Sequence, residues 1–302
     1  MPRLTISHIT SYSYRQPVRF GEHRLMVRPR ESYDQHLVSA TLKIDPEPAD
    51  VRWLQDVFGN SVAIATIDRP STRLVIDSEV HVDHRPTKLQ HVDIEDYARI
   101  YPFTYSSEEM PDLLRSIERQ HVDPQRQIDT WARRFVKSGG ETDTLSMLSD
   151  MTAAIKRDFT YVARPEKGTQ TPIETLAKRK GTCRDYAMLM IEAVRALGFA
   201  ARFVSGYLYS ASQDDRHLGG GNTHAWVRVY LPGSGWVEFD PTNGIVGSRG
   251  LIRVAVARDI YQAVPISGTW SGFPGSFLDM GVSVDISVDR SAEPSVLSRK
   301  TS

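Results

Sequence analysis

The chain has 302 residues, with 37 basic and 37 acidic side chains, nine His and a single Cys. At about 150 residues per domain, this length predicts roughly two domains, and the apolar content is typical of a packed globular protein. One Cys excludes an internal disulfide and a Cys-based zinc finger. The zero net charge removes bulk electrostatic attraction as a reason to expect nucleic acid or an anionic membrane as a partner.

The first residues, MPRLTISHITSYSY, alternate polar and apolar side chains and contain no apolar core of a signal peptide. No run approaches the ~18 apolar residues that a membrane-spanning helix needs. Together with the lone thiol, which suits a reducing compartment, these features predict a cytoplasmic protein that does not bind membranes. They predict no oligomeric state.

Residues 1–85 are predicted to form an N-terminal β module, because apolar residues recur with a period of two. The same alternation lies on both sides of a turn at Phe58, Gly59 and Asn60. Strands at this spacing favour a small antiparallel sandwich. The residues that carry the pattern are Leu42, Ile44, Val62, Ile64, Leu74, Ile76, Val80 and Val82.

Residues 86–125 are mixed and polar, with four prolines, and are interpreted as a connector with a short helix near 107–120. Residues 126–290 are predicted to form the second domain, with helices first and strands after. Asp123 followed by Pro124 predicts the start of one helix, and another is expected over 143–158. The polar tail, residues 291–302, is predicted to be disordered. The chain as a whole is expected to be α+β.

The single thiol lies at a predicted helix start. Thr182 and Asp185 form a T-x-x-D pattern typical of a capping box, and Gly198 is suited to end the helix. Cys183 would then lie in the first turn, where free backbone N–H groups and the helix dipole stabilise a thiolate. The same N–H groups could bind an oxyanion on a substrate carbonyl. An inert, buried Cys is the common alternative, and placement alone leaves the two about equal.

A base for this thiol is expected on a β-hairpin at residues 224–240. His224 points away from the apolar face of the first strand, and Asp240 points away from that of the second. Each lies eight positions from Pro232 in the turn, so a short turn places them opposite or one diagonal apart. A carboxylate in that position can orient an imidazole. Taken singly, a surface His and a turn Asp are the more common explanations.

The segments GTCRDYAMLMIEAVRALGFAARFVSGYL and THAWVRVYLPGSGWVEFDPTNG resemble the core of the transglutaminase-like superfamily. The segments YSYRQPV, RLMVRPR and DVFGN are similar to the N-terminal β module of its bacterial members, and IRVAVARDIYQAVPISGTWSG resembles the segment C-terminal to their core. The resemblance covers most of residues 4–290. It implies a papain-like core in which the Cys helix packs on an antiparallel sheet, behind an N-terminal sandwich-like module.

The resemblance also implies roles for three residues: Cys183 as the nucleophile, His224 as base and then acid, and Asp240 as the group that orients His224. The implied reaction attacks an amide or peptide bond of a protein or peptide substrate and forms a thioester. Either water or an amine then takes the acyl group, so protease, amidase and transglutaminase activities all stay open. A non-catalytic binding or scaffold protein with the same fold is the alternative.

Other patterns carry weaker signals. His81 and His84, with His91 nearby, would face opposite sides of a strand, so we expect no metal site there, and no motif predicts a cofactor. The basic residues 178–180 could lower the pKa of Cys183, although a solvated helix end is the usual explanation. Residues 210–222, with three consecutive glycines, are expected to form a mobile loop beside the cleft, or a plain surface loop.

Overall fold

The computed structural model describes residues 3–86, 92–162, 168–209 and 223–289. The helices are α1 (Asp96–Arg99), α2 (Met110–Ile117), α3 (Gln127–Arg133), α4 (Thr144–Asp158), α5 (Pro172–Lys178) and α6 (Cys183–Ala196). The strands are β1 (Arg3–Leu25), β2 (Gln35–Asp45), β3 (Asp50–Gln55), β4 (Ser61–Thr66), β5 (Ser71–His84), β6 (Ile100–Tyr101), β7 (Thr142–Asp143), β8 (Thr160–Tyr161), β9 (Lys180–Gly181), β10 (Ala201–Leu208), β11 (His224–Leu231), β12 (Gly235–Asp240), β13 (Ile245–Val246), β14 (Leu251–Ala257), β15 (Ile266–Ser271) and β16 (Phe277–Asp289). The predicted α+β class is confirmed.

The N-terminal sheet is built around β1, a strand long enough to belong to two parts of a curled sheet. Its first half pairs with β5 and β16, and its second half pairs with β4 and β15, all antiparallel. In the described residues the path of the sheet is β2-β5-β1-β4-β3. The alternation predicted along β5 is confirmed, because Leu74, Ile76, Val80 and Val82 are buried. Strand β3 was not predicted, and most of its residues are exposed.

Strands β15 and β16 come last in the described chain but pair with the first strand. The register of β1 and β16 joins Leu4 to Val288 and Tyr12 to Met280. Both strands lie within the range 126–290 that we predicted for the second domain. The N-terminal sheet is therefore closed by the C-terminal part of the chain, and the two predicted domains share strands.

The second sheet has the order β13-β12-β11-β10-β14 and carries α6 on one face. Ala187, Leu189 and Ile191 of the helix join one hydrophobic core with Val227 and Phe239 of the sheet. Twelve of the 14 residues of α6 are buried, as its apolar sequence predicts. The helix ends where expected, since Gly198 has a positive φ of 90° that suits glycine. A helix packed on an antiparallel sheet is what the resemblance to the superfamily implied.

One helix start differs from its prediction. Helix α3 begins at Gln127, three residues after the predicted first position at Pro124. The Asp123 carboxylate accepts hydrogen bonds from the backbone N–H of Gln127 (2.8 Å) and of Ile128 (2.9 Å). Asp123 thus caps the helix from farther away, because the intervening residues form a turn closed by the bond from Arg126 N to Asp123 O.

A second core joins the two sheets. Leu4 and Ile6 of β1 pack with Tyr207 of β10 and with Ile252 and Val254 of β14. The N-terminal module is therefore packed against the sheet that carries His224. Separately, none of the described helices is long and apolar enough to cross a membrane. The cytoplasmic location stays a prediction.

Candidate active site

Cys183 is the first residue of α6, as predicted. The Asp185 Oδ2 atom accepts hydrogen bonds from the backbone N–H of Thr182 (2.8 Å) and from its hydroxyl (3.0 Å), which fixes the start of the helix. Asp185 also accepts a bond from the backbone N–H of Gln170 at 2.7 Å. The thiol is free, and Cys183 is only 7% exposed. Its surroundings thus combine the positive end of a helix with low solvent access.

His224 and Asp240 meet across the hairpin of β11 and β12. The register pairs Val227 with Phe239 and Leu231 with Gly235, which puts His224 and Asp240 one diagonal apart. Their side chains are fully buried, and His224 Nε2 lies 2.8 Å from Asp240 Oδ2. The predicted geometry of these two side chains is therefore what the structure contains.

The carboxylate of Asp240 is held by its own turn. Its Oδ1 accepts from the backbone N–H of Thr242 at 2.9 Å, and its Oδ2 accepts from Nδ2 of Asn243 at 2.8 Å. Burial opposes ionisation, but the charge of His224 and these hydrogen bonds outweigh it and lower the pKa of Asp240. An ionised carboxylate only accepts hydrogen bonds, so Nε2 of His224 carries the proton. Nδ1 is then the ring nitrogen left to act on the thiol.

The thiol and the imidazole alter each other's pKa. Burial works against ionisation of Cys183, yet its interaction with His224, aided by the charge of Arg184, lowers the pKa of the thiol. Burial likewise works against the charge on His224, but Asp240 and Cys183 raise the pKa of His224 to about 10. Nδ1 makes no hydrogen bond of ordinary geometry to the described residues, so it interacts with the sulfur through an imperfectly aligned hydrogen bond and through charge. The arrangement favours a thiolate beside an imidazolium.

Sequence reasoning missed three neighbours of these residues. The Trp226 ring stacks on the His224 ring at 6.0 Å between centroids and 24° between planes. Asn243 holds the Asp240 carboxylate. Tyr161 packs against the core that contains Cys183, and burial together with the charge of Cys183 raises the pKa of Tyr161 to about 12. The signal for Trp226 was present, because residues two apart share a face of a strand.

The other residues considered in the sequence analysis lie away from the three residues of the site or outside the described ranges. His81 contacts Thr5 at 2.9 Å, and His84 is fully buried edge-on to Tyr209 at 6.0 Å, so they face opposite sides of β5, as expected. His91 and the loop 210–222 lie outside the described residues, as does the tail 291–302. The charge of Arg184, next to Cys183 in the chain, contributes to the lowered pKa of the thiol.

In the ranges 3–86, 92–162, 168–209 and 223–289, no group of three or more His, Cys, Asp or Glu side chains is arranged to hold a metal ion. The chemistry available to the described site is that of a thiol, an imidazole, a carboxylate and the backbone N–H groups of a helix start.

Family models match this chain over both sheets. The model for the transglutaminase-like superfamily matches residues 129–241, a range that contains Cys183, His224 and Asp240. The model for the bacterial transglutaminase-like N-terminal region matches residues 4–83. The chain belongs to the transglutaminase-like superfamily. The expectation drawn from the sequence segments is thereby confirmed.

Relatives of similar length occur in mycobacteria. An uncharacterized protein of Mycobacterium tuberculosis is 28% identical over 93% of this chain and 92% of its own length. One from Mycobacterium leprae is 24% identical over 94% of this chain and 99% of its own. A protein-glutamine gamma-glutamyltransferase of Pseudomonas aeruginosa is 35% identical over 101 residues, which are 30% of this chain and 14% of that protein.

The transglutaminase-like fold recurs in a solved structure, that of a candidate cysteine protease from Cytophaga hutchinsonii. It matches with a TM-score of 0.69 over 95% of this chain and 90% of its own, at 19% identity, and this likeness concerns the fold. The match includes the N-terminal module as well as the core, since it spans nearly the whole chain. The support for a thiol enzyme in general comes from the superfamily match over residues 129–241.

Proposed function

We propose that this transglutaminase-like protein is a cysteine-dependent enzyme that transfers acyl groups from amide or peptide bonds of proteins or peptides. The observation that carries the proposal is the buried contact of 2.8 Å between His224 and Asp240, next to a thiol whose pKa is lowered. A structural Cys in an apolar core would have a raised pKa. The arrangement instead supplies a nucleophile with its base and the group that orients the base.

In the proposed reaction the Cys183 thiolate attacks the substrate carbonyl carbon, and the C–O π electrons move onto oxygen. The backbone N–H of Cys183 donates to that oxyanion in this proposal, which is supported by its position in the first turn of α6. The C–N bond then breaks, and imidazolium His224 gives its proton to the departing amine. The products of this half-reaction are a thioester on Cys183 and a free amine.

The thioester has two possible acceptors, and the proposal includes both. Neutral His224 removes a proton from water or from an incoming amine, which attacks the thioester carbonyl and releases the thiolate. Water gives hydrolysis, and a Lys side chain gives an isopeptide bond. Asp240 keeps the ring oriented and stabilises its charge in both half-reactions.

A proteome-wide comparison tests this function. Full-length wild type and Cys183→Ala are incubated with the same lysate, and mass spectrometry scores both new peptide termini and new Lys isopeptide crosslinks. We expect one of the two products with wild type and neither with the variant. Equal product patterns from both proteins would contradict the proposal and support a binding or scaffold role.

A further inference from the structure

Trp226, which stacks on His224, is held at the edge of its ring by a buried carboxylate. Its Nε1–H donates to Glu238 Oε2 at 2.6 Å. The other oxygen of Glu238 accepts from Arg253 NH1 at 3.1 Å. Glu238 and Arg253 are buried, and Trp226 is fully so. The orientation of the indole ring therefore depends on an ion pair between Glu238 and Arg253, two residues of the second sheet.

The N-terminal module supplies a second carboxylate to Arg253, that of Asp34. Arg253 NH1 also donates to Asp34 Oδ2 at 3.0 Å, and its NH2 donates to Asp34 Oδ1. Asp34 precedes β2 and is 3% exposed. Burial opposes its ionisation, but Arg253 and Ser32 lower the pKa of Asp34 to about 2. The contact is thus a bidentate ion pair between the N-terminal module and the second sheet.

The backbone around this ion pair is fixed as well. Gln35 Nε2 donates to the backbone oxygen of Arg253 at 2.8 Å, and Gln35 Oε1 accepts from the N–H of Arg253 at 2.9 Å. Arg228 makes a further pair with Glu238 at 3.1 Å. Buried charged groups are stable only when each has an oppositely charged partner, so the side chains of this cluster have few alternative arrangements. Because Glu238 is fixed in this way, its hydrogen bond can fix the orientation of Trp226.

We propose that the N-terminal β module acts as a positioning element for the base, through the chain Asp34, Arg253, Glu238 and Trp226 to the ring of His224. This inference rests on the proposed function, in which His224 serves Cys183. The face of an indole attracts a cation, and His224 is cationic when it stabilises the thiolate. Loss of any one of these contacts frees the indole ring of Trp226 to rotate, which weakens its attraction for the imidazolium of His224.

The single Cys makes the test direct, because every thiol that iodoacetamide alkylates in the full chain is that of Cys183. The rate of iodoacetamide labelling is measured by intact mass from pH 4 to 10 for wild type, Asp34→Asn, Trp226→Phe and the double variant. Trp226→Phe keeps a ring but removes the N–H donor. Tyr207→Phe is the control, since it removes only the contact of 2.9 Å between Tyr207 and His8 across the same interface.

Asp34→Asn and Trp226→Phe are each expected to move the acid limb of the rate profile to higher pH. A rise of one pKa unit lowers the thiolate fraction about tenfold at pH values below the limb. The direction is informative, because removal of the Asp34 charge alone would favour the thiolate and move the limb to lower pH. The acid limb of the double variant should shift no further than the larger of the two single shifts, because both substitutions interrupt the same series of contacts.

Several results separate the possible failures. Tyr207→Phe should lower the thermal midpoint and leave the profile unchanged. If Asp34→Asn does not fold, the labelling profile of Trp226→Phe still tests the inference, because that substitution leaves the ion pairs of Arg253 intact. A wild-type profile in these variants, or shifts that add in the double variant, would overturn the inference. Slow labelling of wild type itself, like that of a free thiol, would instead contradict the proposed function.

Discussion

Asp240 is the residue on which the other groups of the site depend. It contacts His224, accepts from the turn after it, and is bonded to Asn243 at 2.8 Å. Nδ2 of Asn243 also lies 3.5 Å from Nε2 of His224. Because hydrogen bonds to a charged, buried group are stronger than neutral ones, the side chain of Asn243 fixes which Asp240 oxygen faces the imidazole.

Asn243→Ala is therefore expected to slow alkylation of Cys183 at pH 6 about tenfold, the worth of one hydrogen bond to a buried charge. Ser234→Ala, in the exposed turn of the same hairpin, serves as the matched control and should keep the wild-type rate. Labelling rates from intact mass measure both. An Asn243→Ala rate equal to that of the control would mean that the turn backbone alone holds Asp240.

Among the elements, α6 is anchored at its C-terminal half by a buried carboxylate. Glu192 is fully buried and pairs with Arg195 at 3.1 Å and with Arg119 at 3.2 Å. It also accepts from the backbone N–H of Gln120 at 3.1 Å and of His121 at 3.3 Å. The segment after α2, predicted from sequence as part of a connector, is thereby bonded to the helix that carries Cys183.

Glu192→Ala should lower the free energy of unfolding by about 3–5 kcal/mol, because it leaves the buried Arg195 without its ion-pair partner. Arg119 keeps its pairs with Asp123 and Asp129. Glu118→Ala breaks an exposed pair with Arg115 and should leave the free energy of unfolding nearly unchanged, because water screens that pair. Urea unfolding at pH 7 measures both. Equal midpoints for the two variants would show that the buried cluster adds no stability.

For the whole molecule, the sharing of strands between the two predicted domains is the decisive feature. Strands β15 and β16 pair with β1, and Leu4 and Ile6 pack on β10 and β14. Without the N-terminal module, these two strands would expose unpaired edges, and the sheet face under the module would expose apolar side chains. The chain should therefore unfold as one unit.

Calorimetry of the full chain should give a single transition, and a variant that lacks residues 1–85 should show no cooperative transition and should aggregate. Circular dichroism during heating and size-exclusion chromatography measure this directly. A soluble, cooperatively folded truncation would instead show that the core from residue 86 onward is an independent domain.

The sequence predicts those parts of the site that depend on neighbours in the chain. The cap at Thr182, the end at Gly198 and the diagonal of His224 and Asp240 arise from local patterns, and all three are present. The return of β16 to β1 joins residues more than 260 positions apart, and no local periodicity encodes that pairing. The bond from Trp226 to Glu238 lies on the same diagonal of the hairpin, so the local pattern could have predicted it. The contacts that tie Glu238 to Arg253 and Asp34 could not be predicted in this way, because Asp34 is more than 200 positions from Arg253.

The central claim is that His224 makes a thiolate of Cys183, and the pH dependence of alkylation tests it most directly. Because the pKa of the thiol lies below its ordinary value and that of His224 is raised to about 10, the ion pair should persist between these two values. Wild type should label at pH 6 at least about ten times faster than a free thiol with a pKa of about 8.5.

In His224→Ala the thiol loses the group that lowers its pKa, and burial then raises it, so labelling at pH 6 should fall below that of a free thiol. The rate should recover only as the pH passes the ordinary range of a thiol. A wild-type profile that rises in one step at or above pH 8.5, unchanged in His224→Ala, would contradict the account.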